Sequence, residues 1–297
     1  MIIKALTKVA IFFLYLLSLL PFWVLYLLSD LLFVVLFHFI HYRRKVVQEN
    51  LRNAFPEKTI TERAQIERSF YGYLADLMVE SIKMITISER QLKKHFTLNN
   101  PELLDTVFTQ QKSVLGALGH YGNWEMAVLI LGFSTQKKKL FIYKPLENKT
   151  FDTFFKNMRS RFGSIPVAMK DTLRTLAALR KEPKFTVFVS DQTPVREETQ
   201  YFTQFLNQPT AVFLGIEKMA KMTNDPVIFC DIRLHKRGYY SCTFVPLIIE
   251  PKLSPEHEIT DVHVQYLEKV IREAPAYWLW SHKRWKFKPE DIHRWTL

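Results

Sequence analysis

Residues 113–131 read SVLGALGHYGNWEMAVLIL, and this pattern decides the fold class. Val114 to Leu118 is a short apolar run, the signature of a buried strand. Gly119 ends it and leaves His120 at the strand's carboxyl end. Gly122 and Asn123 supply a tight turn and a helix cap. An apolar helix over residues 124–131 follows, with Glu125 in its first turn. In open α/β sheets ligands collect beyond the carboxyl ends of the strands, so the position suits a reactive group. His120 and Glu125 stand five apart across a turn, a spacing that lets the carboxylate meet the imidazole, fix its tautomer and make it a general base for a hydroxyl. The same spacing also describes a loop histidine beside a capping glutamate, and spacing alone leaves both readings open.

The same alternation recurs downstream. Residues 139–143 read as a strand and 150–162 as an amphipathic helix carrying Arg159 and Arg161. Strands at 165–168 and 185–189 are separated by a helix at 171–181. The second strand delivers Asp191 and Gln192 at its carboxyl end, where Asp191 can orient a basic residue, bind an acceptor or cap a turn. Late strands at 226–234 and 239–246 are joined by HKRG as a hairpin, and an amphipathic helix spans 262–273. The expected fold is therefore α/β, a mainly parallel mixed sheet flanked by helices.

Ahead of this lies a membrane-like segment. Residues 9–40 are almost unbroken apolar sequence, and 9–28 alone reach the roughly 20 residues that cross a hydrocarbon core. No A-x-A-like cleavage site follows, which favours a retained anchor over a signal peptide. Pro21 is expected to kink it or divide it into two helices. Lys4 and Lys8 precede the segment and the denser Arg43, Arg44 and Lys45 follow it, which places the globular part on the cytoplasmic side. A helix lying in the interface fits these charges as well. The chain thus divides into an anchor, 1–41, and a globular domain, 42–297. That domain opens with helices over residues 42–83, the second capped by Thr61. Ile66, Phe70, Tyr73, Leu74 and Leu77 mark a packing face. Glu80 reads as a structural ion-pair partner.

A net charge of +12 over 297 residues suits nucleic acid, an anionic membrane surface or acidic substrates. Trp278, Trp280 and Trp285, interleaved with Lys283, Arg284 and Lys286, suit a membrane interface, and His282 and His293 read as interface or surface residues. The neighbouring anchor favours membrane over nucleic acid, and no nucleic-acid motif is visible. Cys230 and Cys242 sit in apolar strands without metal-ligand spacing and read as buried thiols. No GxSxG elbow, Walker loop, GxGxxG or HExxH is present.

Several blocks carry a family resemblance. GHYGNWE resembles the HxxxxE/D block of the bacterial lipid A late acyltransferases. NLRNAFPE with a helix ending in VESIKM is similar to that family's amino-terminal region. YKP…N…R-x-R, the Asp191-Gln192 pair and APAYWLWSHKRWKFKPE resemble its later blocks. QFLNQPTAVFLGIEKMA departs from it, lacking the expected glycine turn, with Phe205, Phe213 and Leu214 as candidates for an apolar groove.

The resemblance implies an enzyme of the bacterial inner membrane, facing the cytoplasm. It would move a fatty acyl chain from an acyl carrier protein thioester to a hydroxyl of a lipid A precursor. His120 would be the base and Glu125 its orienting carboxylate. Arg159 or Arg161, Asp191 and Asn123 would meet substrate, and amides of the Gly122–Asn123 turn, or an arginine, would stabilise the oxyanion. It implies no metal and no bound cofactor. The same chemistry on another membrane lipid, a glycolipid or aminolipid, and a non-catalytic membrane scaffold are the alternatives.

Overall fold

A computed structural model of the chain describes residues 2–291, with side chains from Ala5 onward; Lys4's side chain and His293 lie outside the described part. Helices α1 (Ile2–Leu19) and α2 (Phe22–Val34) come first, and α2 runs on into a π-helical turn, Val35–Ile40. The break at Leu20–Pro21 follows from proline chemistry: the residue before a proline is pushed out of the helical region. Residues 9–28 therefore do not form one spanning helix; the window long and apolar enough to cross a membrane is Phe22–Ile40.

Helices α3 (Arg44–Ala54) and α4 (Ile60–Lys83) follow. α4 is capped by Thr59, not Thr61. The Thr59 hydroxyl accepts from the Glu62 amide at 3.2 Å while Glu62 accepts from the Thr59 amide at 2.7 Å, a capping box written in the sequence as T-I-T-E. The expected packing face is confirmed: Phe70, Tyr73, Leu74 and Leu77 are buried.

The domain then alternates. Its elements are α5 (Glu89–His95), β1 (Phe96–Leu98), α6 (Glu102–Phe108), β2 (Val114–Leu118), α7 (Trp124–Ile130), β3 (Lys138–Tyr143), α8 (Lys149–Arg159), β4 (Ser164–Ala168), α9 (Thr172–Ala178) and β5 (Lys184–Val189). A hairpin of β6 (Tyr201–Phe205) and β7 (Gln208–Val212) precedes α10 (Gly215–Thr223), β8 (Val227–Lys236), β9 (Tyr239–Ile248) and α11 (Glu258–Glu273).

Seven strands form one sheet in the order β1-β9-β8-β2-β5-β3-β4, parallel except for the β8–β9 hairpin. Helices cover both faces. The mainly parallel mixed sheet read from the sequence is thus observed. Where the family's glycine turn is missing, the β6–β7 hairpin turns through Leu206 and Asn207 at φ of 51° and 63°, held by the Leu206 amide donating to Glu268 at 2.7 Å. Phe205 is 2% exposed and belongs to the core.

The carboxyl-terminal aromatic and basic block is also interior. Trp278, Trp280 and Arg284 are buried, so the expected membrane-facing role does not hold for them. Each polar tip has a protein partner: Trp280 Nε1 donates to the Pro275 carbonyl at 2.6 Å, Trp285 Nε1 to Thr210 at 2.7 Å and Arg284 Nη1 to the Ala211 carbonyl at 2.7 Å.

Candidate active site

β2 and β5 pair in parallel with Leu118 opposite Val189. His120 and Asp191 each lie two residues beyond those ends, so the register brings them level across adjacent strands. Asp191 Oδ1 meets His120 Nδ1 at 2.5 Å, and its Oδ2 accepts from the His120 amide at 2.9 Å and from Trp278 Nε1 at 2.8 Å. Burial works against the charge on Asp191. The His120 charge and hydrogen bonds, with Trp278, outweigh it and hold the carboxyl down at about 2. An ionised Asp191 fixes the hydrogen on Nδ1 and leaves the Nε2 lone pair facing outward, where Gln192 Nε2 approaches at 3.1 Å.

The backbone around His120 is strapped by the carboxyl-terminal segment. Leu279 donates to the His120 carbonyl at 3.1 Å, and Gly122 donates to the Tyr277 carbonyl at 2.9 Å. Gly122 has φ of 57°, and a Cβ there would stand 2.6 Å from Ile232 Cγ2, so both conformation and space demand glycine. Its amide, bonded to Tyr277, is not free for an oxyanion.

Glu125 does not orient His120. Its two oxygens accept from Arg159 Nε at 2.9 Å and Nη2 at 2.6 Å, a bidentate pair with both side chains 20% exposed, while the imidazole's ring nitrogens are occupied by Asp191 and Gln192. One turn of helix carries Glu125 toward α8 rather than back over the strand end. Arg159 Nη1 makes no hydrogen bond among the described residues.

Arg161 lies beyond the end of α8 and donates to the Met84 and Ile87 carbonyls at 2.7 and 2.9 Å, which makes it a brace for the α4–α5 connection. Asn123 is fully buried. It caps α7 by accepting from the Met126 amide at 2.7 Å and donates to Glu80 at 2.6 Å, so neither end of its amide reaches a ligand.

Glu80 has no cation partner among the described residues and is not the expected ion-pair partner. It accepts from Tyr26, Tyr240 and Asn123 at 2.9, 2.8 and 2.6 Å, and burial pushes it up to about 7.

Beside Gln192 lies a cavity of about 460 Å³ bordered by Leu36, Leu74, Met78 and Leu279, with Arg43 and His282. His282 is not a surface residue: its Nε2 accepts from the Thr193 amide at 3.1 Å, and burial with nearby Arg284 draws it down to about 4, keeping it neutral. Behind Asp191, a void of about 10 Å³ is bordered by Arg284 and His263, whose Nε and Nε2 have no hydrogen-bond partner. Among the described residues no cluster of three or more His, Cys, Asp or Glu is arranged to hold a metal ion. Cys230 and Cys242 are free and buried.

A histidine steered by a buried carboxylate and joined through Gln192 to an apolar cavity suits deprotonation of a hydroxyl on a lipid. The sequence profile of the bacterial lipid A biosynthesis acyltransferases matches residues 1–287. The chain belongs to that family.

The lipid A biosynthesis lauroyltransferase of Escherichia coli K12 is 23% identical over 255 residues, covering 86% of this chain and 82% of the relative. The palmitoleoyltransferase of the same strain is 21% identical over 253 residues, covering 84% and 81%. A lipid A biosynthesis acyltransferase of Haemophilus influenzae is 23% identical over 274 residues, covering 91% and 84%. These relatives match the chain along most of its length.

Proposed function

We propose that this acyltransferase moves a fatty acyl chain from an acyl carrier protein thioester to a hydroxyl of a lipid A precursor, working at the cytoplasmic face of the inner membrane. The observation that carries this reading is the line Asp191–His120–Gln192 ending at the apolar cavity. Nε2 of His120 takes the hydroxyl proton as the oxygen attacks the thioester carbonyl. Asp191 stabilises the imidazolium that forms. The tetrahedral intermediate collapses with cleavage of the carbon–sulfur bond, and the imidazolium returns its proton to the departing thiolate.

Gln192 stands where the hydroxyl must arrive and gives way to it; its amide is then positioned to donate to the acceptor. Arg43 and Arg159 are the cations that meet the acceptor's anionic groups, and Glu125 holds the Arg159 guanidinium in plane. Leu36, Leu74, Met78 and Leu279 form an apolar wall for a hydrocarbon chain.

The test is transfer in vitro from acyl carrier protein to purified lipid A precursor, read by mass spectrometry. Wild-type protein is expected to add one acyl chain, and His120→Ala to lose about 10²–10⁴ in rate, the usual contribution of a general base. Transfer to a glycolipid or aminolipid, with none to lipid A precursor, replaces the acceptor and keeps the chemistry. Undiminished transfer by His120→Ala refutes the mechanism.

A further inference from the structure

The window long and apolar enough to cross a membrane, Phe22–Ile40, is held along its whole length by the domain that follows it. α4 runs antiparallel beside it. Lys83 Nζ stands 5.8 Å from the Phe22 ring, Tyr26 donates to Glu80 at 2.9 Å, Ser29 donates to Asp76 at 2.6 Å, and Phe37 packs on Tyr71 at 5.4 Å. From the β8–β9 turn, Arg237 reaches Asp30 and Asp76, both at 2.6 Å.

A helix crossing the bilayer at this point would carry Asp76, Lys83 and Arg237 into the hydrocarbon with it. Charged groups there are costly. α1 is bound in the same way at both ends: Asn148 donates to Thr7 at 3.0 Å, and Lys83 Nζ to the Ser18 carbonyl at 3.0 Å.

The opposite face of α2 and its π-helical turn is bare. Trp23, Leu27, Leu31 and Phe39 are 67%, 61%, 62% and 74% exposed, and α1 adds Phe12 and Phe13, each 57% exposed. This apolar face follows the length of the helix rather than encircling it, the pattern of a helix lying in an interface. Exposed Lys8, Arg43 and Lys45 flank it in sequence, matching an anionic leaflet. Leu36 and Arg43 also border the cavity beside Gln192, so the end of this helical segment adjoins the site.

We propose that α1 and α2 lie flat in the boundary between headgroups and acyl chains of an anionic leaflet, without crossing it. This rests on the membrane location in the proposed function.

The test uses the full-length protein. Because Cys230 and Cys242 are buried, single cysteines at Trp23→Cys, Leu27→Cys, Leu31→Cys and Phe39→Cys can each carry a fluorophore selectively. Each is bound to vesicles of phosphatidylethanolamine and phosphatidylglycerol and quenched by lipids bearing nitroxides at shallow and deep positions. The four labels are expected at one depth within about 5 Å, roughly 5–10 Å below the headgroups.

Trp23 and Phe39 are separated by about 24 Å along the axis at 1.5 Å per residue, so a crossing helix gives a graded profile with Leu31 deeper than both ends. That profile overturns the in-plane arrangement and leaves the proposed function standing. Failure of the protein to bind the vesicles at all overturns both.

Discussion

The amino-terminal helix pair and the carboxyl-terminal strap are both rich in large apolar and basic side chains, yet they have opposite fates. Trp23 on α2 is 67% exposed, whereas Trp278 and Trp280 in the strap are 1% and 0% exposed. What separates them is where the polar groups go. In the strap every indole nitrogen and Nη1 of Arg284 find partners inside the protein, and Trp278 ends on the carboxylate that meets His120. On α2 the side chains of Tyr26, Ser29 and Asp30 bond to α4 and Arg237, leaving a largely apolar outward face. The difference teaches that an interleaved aromatic and basic segment is assigned by its hydrogen-bond partners, since its composition fits lipid and core equally well.

The contrast is broken most forcefully by truncating the two kinds of tryptophan. Trp280→Ala empties a fully buried site and is expected to cost about 3–5 kcal/mol in urea unfolding, whereas Trp23→Ala stays within about 0.5 kcal/mol. Equal costs would show that both segments are core, or neither.

The amino-terminal helices reach the turn after His120 through Glu80, which accepts from Tyr26 of α2 and from the Asn123 cap. Its carboxyl is raised from 4.5 to about 7 by burial. The folded chain therefore keeps a proton that the unfolded chain releases above 4.5. This contribution to stability is full below pH 4.5, declines as pH rises to about 7, and is flat above. The whole decline amounts to about 3 kcal/mol at 1.36 kcal/mol per pKa unit. The stability of wild type relative to Glu80→Gln should fall by that order between pH 5 and 8, and a pH-independent difference would remove the buried acid from the account.

Trp278→Phe leaves a smaller aromatic ring and deletes one donor to Asp191. A loss of about 1.5–3 kcal/mol is expected, as for a hydrogen bond to a charged group, together with a fall in kcat at unchanged acceptor KM. A loss of stability without a fall in kcat would make the strap merely structural. The smallest effect on folding belongs to Leu31→Ser, expected within about 0.5 kcal/mol, while binding to anionic vesicles weakens measurably.

Much of the sheet was legible from the sequence because local patterns report local structure. β2 has the bounds that its apolar run predicts, and β5, β8 and β9 match within two residues or so. The site was only half legible. His120 announces itself by its place at a strand end, but its carboxylate partner is 71 residues away in sequence. Only the pairing of Leu118 with Val189 brings the two together, and register across parallel strands is a tertiary property that no spacing records. Glu125 was the nearer carboxylate in the chain and the wrong one in space, because the start of α7 directs it to Arg159. The capping box at Thr59 and Glu62 was readable and would have set the start of α4. The β6–β7 hairpin was hidden because Leu206 occupies a left-handed turn position where glycine or asparagine is the usual signal.

The most direct test of the account is the rate of acyl transfer by Asp191→Asn, measured with acyl carrier protein donor and lipid A precursor. With the fold intact by circular dichroism, the account predicts a fall of about 10²–10⁴, because an asparagine can neither fix the imidazole tautomer nor stabilise the imidazolium. A variant that turns over within about threefold of wild type would contradict it.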